Sequence, residues 1–443
     1  MNDINQAADY SRHPAELLQR LIQFDTTNPP GDTTACMAFI QQTLHQAGIE
    51  TKIFSKTPEK PNLMARLTGS GKAPPLLLYG HLDVVTTENQ DWRYPPFEGR
   101  LVDGYIWGRG ALDMKGGVAM MLAAFLRAKA ENLELPGDVL FLALSDEEVG
   151  GDEGAKFMVE EHADLFDGVR YALGEFGGFT MQVGDKRFYP IQVAEKQICW
   201  MKATFRGPGG HGSLPVHGGA MAKLADFLLK IDRQTLPLHV TPVARMMIEA
   251  MASSMGGLNG LILGQLNNRA LAEYVLKMLG ERGKVFSPLL HNTISPTVLH
   301  GSEKVNVIPN QVTVEFDGRL LPGFTPEDLI AELRQLVGDE VEFEVVRFDS
   351  VSAELNMGLF DTLADILRKA DPEGIPIPLL LTAVTDGRFL SRLGIQTYGF
   401  TPMQLPVDFN FSETIHAANE RIPVQAVEFG TDAIYEALKN FGE

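Results

Sequence analysis

The sequence predicts an α/β fold: a mixed open sheet with helices on both faces, interrupted by an inserted α+β module. Short apolar runs bounded by Gly and Pro, such as residues 76–79 and 139–144, are typical of buried strands. Segments with helical spacing of apolar residues alternate with these runs, as in α/β proteins. Between residues 195 and 348 the order changes to β-α-β-β-α-β, which is typical of a two-layer module.

These patterns divide the chain into residues 1–194 and 349–443, which form one α/β domain, and residues 195–348, which form the module. In the α/β domain we predict helices at residues 14–24, 34–48, 117–130, 358–369 and 423–440, and strands at 51–54, 62–67, 76–79, 139–144, 170–173 and 395–400. In the module we predict strands at 197–205, 293–300, 311–320 and 341–348, and helices at 220–231 and 325–337. Residues 242–290, rich in Met, Leu and Ala, are interpreted as a helical insertion.

Composition excludes several classes of protein. A hydrophobic content of 44% and a charged content of 21% are ordinary for a globular protein. A formal net charge of −19 without a basic run argues against nucleic acid as a partner. The two cysteines, Cys36 and Cys199, exclude a disulfide framework. With no signal-like start and no apolar run near 20 residues, we predict a cytoplasmic protein without a membrane partner.

Polar residues that suit metal binding stand at or shortly after predicted strand ends. In open α/β sheets this edge is where ligands bind. Imidazole nitrogens and carboxylate oxygens suit a borderline cation such as Zn²⁺. Five ligands exceed what one tetrahedral ion needs, but two ions that share one carboxylate would use all of them. The candidate positions are His81, Asp113, Glu147 or Glu148, Glu175 and, before the last helix, His416.

Each of these positions also has a simpler structural interpretation. His81 and Asp83 are two residues apart and could form only a local hydrogen bond. Asp113 could cap the next helix. Glu147 and Glu148 could lie in a solvated turn, and Glu175 could be a loop carboxylate. Five such positions, mostly at successive strand ends, favour the metal site over these separate explanations.

The motifs resemble one metallopeptidase and deacylase family over nearly the whole chain. This is the family of aminoacylase, acetylornithine deacetylase, succinyl-diaminopimelate desuccinylase and glutamate carboxypeptidase. The resemblance implies a zinc-exopeptidase-like fold. The matching motifs are Gly-His-Leu-Asp at 80–83, Gly-Arg-Gly-Ala-Leu-Asp-Met-Lys-Gly-Gly at 108–117, Asp-Glu-Glu-Val-Gly-Gly at 146–151, Glu175 and His416.

The resemblance also implies a role for each position and two divalent metal ions, most simply Zn, with Co or Mn as alternatives. It implies a cis peptide bond between Asp113 and Met114. From adjacency alone, either Glu147 or Glu148 could face the reacting water, since neighbours in an extended segment point opposite ways. The implied roles are Asp113 as the bridging ligand, His81 and Glu175 on one ion, Glu148 and His416 on the other, Glu147 as general base on a metal-bridging water, and Asp83 as the carboxylate that orients His81.

The inserted module resembles the lid and dimerisation domain of the family. We therefore expect a homodimer formed through residues 195–348. His211, in the Gly-rich stretch 207–213, matches a histidine that reaches the partner subunit's site and stabilises the oxyanion. The 242–290 insertion is longer than in compact members of the family, so dimer geometry does not transfer directly.

Substrate recognition is the least specified part of the site. Arg319 and Arg388 match positions near the family's substrate site, and Arg suits bidentate binding of a carboxylate. A structural ion pair is an equal alternative for Arg319. Asn292 is a weaker candidate. Phe176 stands where relatives often have Gly or Pro, which would shape the pocket.

The predicted function is hydrolysis of an amide bond in an N-acyl amino acid or a short peptide that carries a free carboxylate. One alternative is a strict dipeptidase or carboxypeptidase. Another is a catalytically silent relative that binds an amino-acid derivative. A two-metal phosphoesterase is disfavoured because no Gly-rich phosphate cradle follows a strand.

Overall fold

A computed structural model describes residues 6–442, and the chain forms two compact units. The first unit contains the described residues up to Val193, Leu355–Leu379 and the described residues from Thr385. The second unit contains Ala194–Glu354 and Leu380–Val384.

The helices and strands are numbered in chain order. The helices are α1 (Gln6–Tyr10), α2 (Pro14–Ile22), α3 (Thr34–Gln46), α4 (Lys115–Ala130), α5 (Ala155–Glu161), α6 (Ala220–Arg233), α7 (Pro242–Met255), α8 (Gly257–Gly264), α9 (Ala272–Leu279), α10 (Gly283–Leu290), α11 (Pro326–Val337), α12 (Phe360–Ala370), α13 (Gly387–Leu390), α14 (Phe411–Thr414) and α15 (Val424–Asn440). The strands are β1 (Thr51–Ser55), β2 (Pro61–Leu67), β3 (Leu76–His81), β4 (Arg100–Val102), β5 (Tyr105–Trp107), β6 (Val139–Leu144), β7 (Tyr171–Gly174), β8 (Met181–Val183), β9 (Lys186–Glu195), β10 (Gln197–Arg206), β11 (Gly210–His211), β12 (Thr293–His300), β13 (Val307–Ile308), β14 (Gln311–Leu320), β15 (Glu342–Asp349), β16 (Gly374–Leu381), β17 (Gln396–Gly399) and β18 (Arg421–Pro423).

A mixed sheet forms the core of the first unit, as predicted. Its strand order is β1-β2-β6-β3-β7-β17-β9-β16, and β8 pairs with β9. Four adjacent strands of this sheet, β6, β3, β7 and β17, run parallel to one another. Every residue of β3 and of β6 is buried. Burial on both faces explains why these two strands are uninterrupted apolar runs in the sequence.

Helix α4 lies almost wholly inside the first unit. Its small residues let it approach other parts of the chain closely. A Cβ atom on Gly116 would lie 2.1 Å from the Ala111 carbonyl oxygen, so this position admits only Gly. The helix can therefore begin immediately after the Asp113–Met114 peptide. No described helix combines the length and the apolar character needed to cross a bilayer.

The second unit contains a four-stranded antiparallel sheet, β12-β14-β10-β15. The chain order β10-α6-β12-β14-α11-β15 confirms the predicted β-α-β-β-α-β module. Its core includes Phe227 from α6, Phe316 from β14 and Leu333 from α11. Helices α7 to α10 occupy residues 242–290. A capping box between Thr325 and Asp328 begins α11.

Two long strands, β9 and β16, were not predicted. Strand β16 contains Pro376 and Pro378, which argue against a strand when only the sequence is available. It is an edge strand of the sheet. On its open side no neighbouring strand is present, so a missing proline N–H there costs no hydrogen bond between strands. Strand β9 contains Pro190, which likewise argues against a strand when only the sequence is available.

A buried carboxylate joins β9 to the end of α12. Asp371 is 4% exposed and accepts hydrogen bonds from Tyr189 Oη (2.8 Å), Arg187 Nη2 (2.9 Å) and Gln404 Nε2 (3.1 Å). Removing its charge leaves the Arg187 guanidinium without its buried partner.

We therefore expect Asp371→Asn to lower the unfolding free energy by about 2 kcal/mol, because breaking a buried pair costs more than breaking an exposed one. Thermal unfolding followed by circular dichroism measures the change. Asp365→Asn is the matched control, since Asp365 and its partner Arg368 are both more than half exposed. Equal effects of the two substitutions on the unfolding free energy would contradict the role of Asp371 as a stabilising buried carboxylate.

Candidate metal centre

Three neighbouring parallel strands deliver side chains to one edge of the sheet. His81 is the last residue of β3, and Glu175 follows β7 directly. Glu147 and Glu148 begin a one-turn 3₁₀ helix, Glu147–Val149, shortly after β6. The strand order β6-β3-β7 explains why residues far apart in sequence come together here.

Two further side chains come from loops. Asp113 lies between β5 and α4, and its peptide bond to Met114 is cis, as the family resemblance implies. His416 lies between α14 and β18.

The side chains form two groups that share Asp113. In the first group, His81 Nε2 lies 3.1 Å from Asp113 Oδ1 and 3.4 Å from Glu175 Oε2. In the second, His416 Nε2 lies 2.9 Å from Asp113 Oδ2 and 3.5 Å from Glu148 Oε1. Within each group the candidate ligand atoms lie within 4.8 Å of one another. The Asp113 carboxylate thus offers one oxygen to each group.

The donor set fits a pair of divalent cations. Imidazole nitrogen and carboxylate oxygen are the ligands that zinc and similar ions take in proteins. The side chains of His81, Glu148 and Glu175 are at most 9% exposed. Among the described residues, none donates a well-formed hydrogen bond to the buried Glu148 Oε1, whose neighbour His416 Nε2 is 3.5 Å away. A cation at this position would satisfy that oxygen, since a buried carboxylate oxygen without a partner is destabilising.

The pKa values show that carboxylates are crowded here. Burial, and repulsion by Asp113 against the opposing effect of His416, raise the pKa of Glu148 to about 7. Burial likewise raises the pKa of Glu175 well above its usual value. Hydrogen bonding to Asp113 and the proximity of Glu148 raise the pKa of His416 to about 10. Positive charge stabilises this arrangement, and divalent cations would supply it.

Asp83 lies beside His81, where the resemblance implies it, and also contacts the neighbouring acidic segment. The nitrogen of His81 that faces away from Asp113, Nδ1, lies 2.9 Å from the backbone carbonyl of Asp83 and 3.5 Å from its carboxylate. The Asp83 carboxylate accepts hydrogen bonds from the backbone N–H groups of Glu147 and Glu148, both at 3.1 Å, and from Asn28 Nδ2 at 2.8 Å. One buried residue therefore orients the ring of His81 and fixes the adjacent acidic segment.

Glu147 belongs to neither group of candidate ligands, although it interacts electrostatically with His81 and Asp113. Its side chain is 13% exposed, and burial raises its pKa. Its carboxylate lies 3.6 Å from Arg388 Nη1. Arg388 is itself 1% exposed and donates to the carbonyls of Thr385 (2.6 Å) and Gly150 (2.9 Å). Arg388 thus holds the loop that carries Glu147.

The other candidates belong to the second unit. Arg319 forms a two-point ion pair with Asp317, at 2.8 and 2.9 Å. Asn292 donates to the Glu332 carboxylate and accepts from the Leu321 N–H at 2.9 Å. His211 is exposed on β11, and its Nδ1 lies 2.8 Å from Ser213 Oγ. Arg319 and Asn292 thus already have partners inside the unit.

Sequence reasoning missed a buried ion pair that ties Asp113 to His416. Glu420 Oε1 accepts the backbone N–H groups of Leu112 (2.7 Å) and Asp113 (3.2 Å), and Glu420 Oε2 accepts Arg109 Nη1 at 2.6 Å. Arg109 Nη2 donates to the His416 carbonyl at 3.1 Å. Both side chains are at most 1% exposed. Residues so far apart in sequence carry no local signal of this pairing.

The fold and this site define an α/β protein with a candidate two-metal centre. A profile of peptidase family M20/M25/M40 matches residues 77–440, and the chain belongs to this family.

Similar proteins span most of the chain. It is 28% identical over 390 residues to the N-fatty-acyl-amino acid synthase/hydrolase of Bos taurus, covering 83% of this chain and 74% of that protein. It is 26% identical over 450 residues to aminoacylase-1 of Sus scrofa, covering 96% and 94%. An M20 family metallo-carboxypeptidase from Sulfolobus solfataricus matches with a TM-score of 0.70 and 18% identity, covering 97% and 99%. This last likeness establishes the shared zinc-exopeptidase-like fold.

We expect Glu420→Gln to weaken metal binding by about 10–100-fold, because Gln has one acceptor oxygen and so cannot accept from both the backbone N–H groups and Arg109, as the two carboxylate oxygens do. Competition with a chromogenic chelator measures the affinity. Glu413→Gln, an exposed change in the same loop region, is the control. Unchanged affinity in the folded Glu420→Gln protein would contradict this role.

Proposed function

We propose that the protein is a two-metal amidohydrolase that cleaves the amide bond of an N-acyl amino acid bearing a free carboxylate. The observation that carries the proposal is the Asp113 carboxylate, which offers one oxygen to each of two groups of ligand atoms, with Glu147 close enough to interact with His81 and Asp113. The intact set of ligands and base argues against a catalytically silent relative.

The proposed chemistry needs a base, a donor and a substrate anchor. Asp113, His81, Glu175, Glu148 and His416 would hold two divalent ions, and these would supply positive charge that lowers the pKa of a nearby water towards about 7. Glu147 Oε takes a proton from that water as its oxygen bonds to the carbonyl carbon. As the C–N bond breaks, Glu147 returns this proton to the leaving amine nitrogen. The products are a carboxylic acid and an amino acid.

We favour N-acyl amino acids over peptides as the substrates because of the proteins to which the chain is similar. Two relatives that match over most of the chain are named as an aminoacylase and as a hydrolase of N-fatty-acyl amino acids. The metallo-carboxypeptidase shares the fold at lower identity, so dipeptidase or carboxypeptidase activity is the second candidate. Arg319, Arg388 and, more weakly, Asn292 are proposed to bind the substrate carboxylate.

Several further properties are part of the proposal. Zn is the favoured metal, with Co or Mn as alternatives, because the ligand set mixes imidazole and carboxylate. The module at residues 195–348 is proposed to act as a lid and to form a homodimer. The cytoplasm is the proposed location, and the free, buried thiols of Cys36 and Cys199 suit a reducing compartment.

We expect chelator-treated protein to lose hydrolysis of N-acetyl amino acids and to regain it with Zn²⁺, Co²⁺ or Mn²⁺. In the reloaded protein, Glu147→Gln should lower kcat by about 10²–10⁴-fold at unchanged metal content, because the amide cannot accept a proton. A panel of N-acetyl amino acids and dipeptides, assayed for released amine, measures both effects.

Glu160→Gln is the control, because Glu160 is a half-exposed residue on α5. Wild-type turnover by Glu147→Gln would refute the role of the base. Faster cleavage of dipeptides than of every N-acetyl amino acid would favour the second candidate function.

His211 is proposed to donate a hydrogen bond to the oxyanion. We expect His211→Ala to lower kcat by about 10²–10³-fold with little change in KM, because such a donor acts mainly in the transition state. His217→Ala, in the same exposed stretch, is the control. A rise in KM with unchanged kcat would contradict the proposed role.

A further inference from the structure

Phe176 has an unusual backbone conformation next to the candidate metal centre. It follows Glu175 directly, and its φ of +64° lies in the left-handed region. Residues other than Gly, Asn and Asp rarely adopt this backbone conformation. A bulky residue held in this way at the edge of a site indicates that the side chain has a function there.

Ring contacts fix the position of Phe176. Its ring lies 5.8 Å from the ring of Phe179 and 5.8 Å from the ring of Phe411, both edge to face. Phe179 and Phe411 stack at 4.0 Å, and each is 8% exposed. Phe176 is only partly buried. We call these three residues the aromatic trio; its two buried rings support Phe176, which is the partly exposed member.

The aromatic trio joins the two chain segments that bring candidate ligands from opposite groups. Phe176 and Phe179 belong to the segment that begins with Glu175. Phe411 begins α14, the short helix that precedes His416. The contact between Phe176 and Phe411 therefore joins the segment that carries Glu175 to the segment that leads to His416.

We propose that Phe176 determines substrate specificity by packing its ring against an apolar group next to the scissile amide. The group is either an extended acyl chain or an apolar amino-acid side chain. Burying such a group against an aromatic ring is favourable in water and does not help a substrate that lacks it. This inference rests on the proposed function and names the substrate class that the site prefers.

Phe176→Gly tests the inference with little risk to folding, because Gly adopts a φ of +64° readily. Three substrates separate the sources of the apolar group: N-acetyl-alanine, N-dodecanoyl-alanine and N-acetyl-phenylalanine. We expect kcat/KM to fall about 10-fold for at least one apolar substrate and less than about 2-fold for N-acetyl-alanine. The substrate that loses rate identifies the acyl chain or the side chain as the group in contact.

Two controls and one intermediate variant sharpen the result. Asn132→Gly changes another residue with positive φ, in the turn after α4, and Phe54→Leu changes a partly buried Phe on β1. Both should leave the ratios between substrates unchanged. Phe176→Leu, which keeps apolar surface, should retain more of the preference than Phe176→Gly. Equal changes for all three substrates in Phe176→Gly would overturn the inference.

Binding distinguishes this inference from the proposed function. Isothermal calorimetry with N-dodecanoyl-alanine and N-acetyl-phenylalanine, in chelator, needs no turnover. If the wild-type protein hydrolyses nothing, weaker binding of either ligand by Phe176→Gly supports the role of Phe176 although the proposed function fails. Equal binding of both ligands by the two proteins overturns the role of Phe176, whatever the turnover.

Discussion

The site depends on how the Asp113 carboxylate is held. One of its oxygens faces His81 at 3.1 Å and the other faces His416 at 2.9 Å. This geometry requires the backbone of Asp113 to be held in place. Glu420 holds it by accepting a hydrogen bond from the Asp113 N–H at 3.2 Å. Arg109 neutralises Glu420 and also binds the His416 carbonyl. A buried ion pair with these partners fixes the positions of the candidate ligand atoms. Such fixed positions matter more to a metal centre than any stability that the ion pair adds.

The sheet determines the rest of the site. Because β6, β3 and β7 are parallel neighbours, their carboxyl ends place His81, Glu175 and the Glu147–Glu148 segment along one edge. Asp83 then couples two of these strands, since its carboxylate accepts N–H groups from the segment after β6 while its carbonyl faces His81. One buried residue therefore positions both the candidate ligand His81 and the segment that carries the proposed base Glu147.

Patterns local in sequence were enough to predict the buried strands, the module and the side chains that meet at the sheet edge. Apolar runs and strand ends are visible without a structure, as at β3 and β6. Contacts between distant segments were not predictable. The pairing of Arg109 with Glu420 and the contact of Phe176 with Phe411 leave no periodic signal. Strand β16 escaped prediction because its prolines suit an edge position that only the sheet order reveals.

The central claim is that one carboxylate serves two cations, and metal stoichiometry tests it most directly. Elemental analysis and calorimetric titration of chelator-treated protein with Zn²⁺ should give two ions per chain. Asp113→Asn should bind fewer than two with high affinity, because the amide offers one carbonyl oxygen in place of two carboxylate oxygens. A single ion per wild-type chain, or two tight ions in Asp113→Asn, would contradict the shared-carboxylate arrangement.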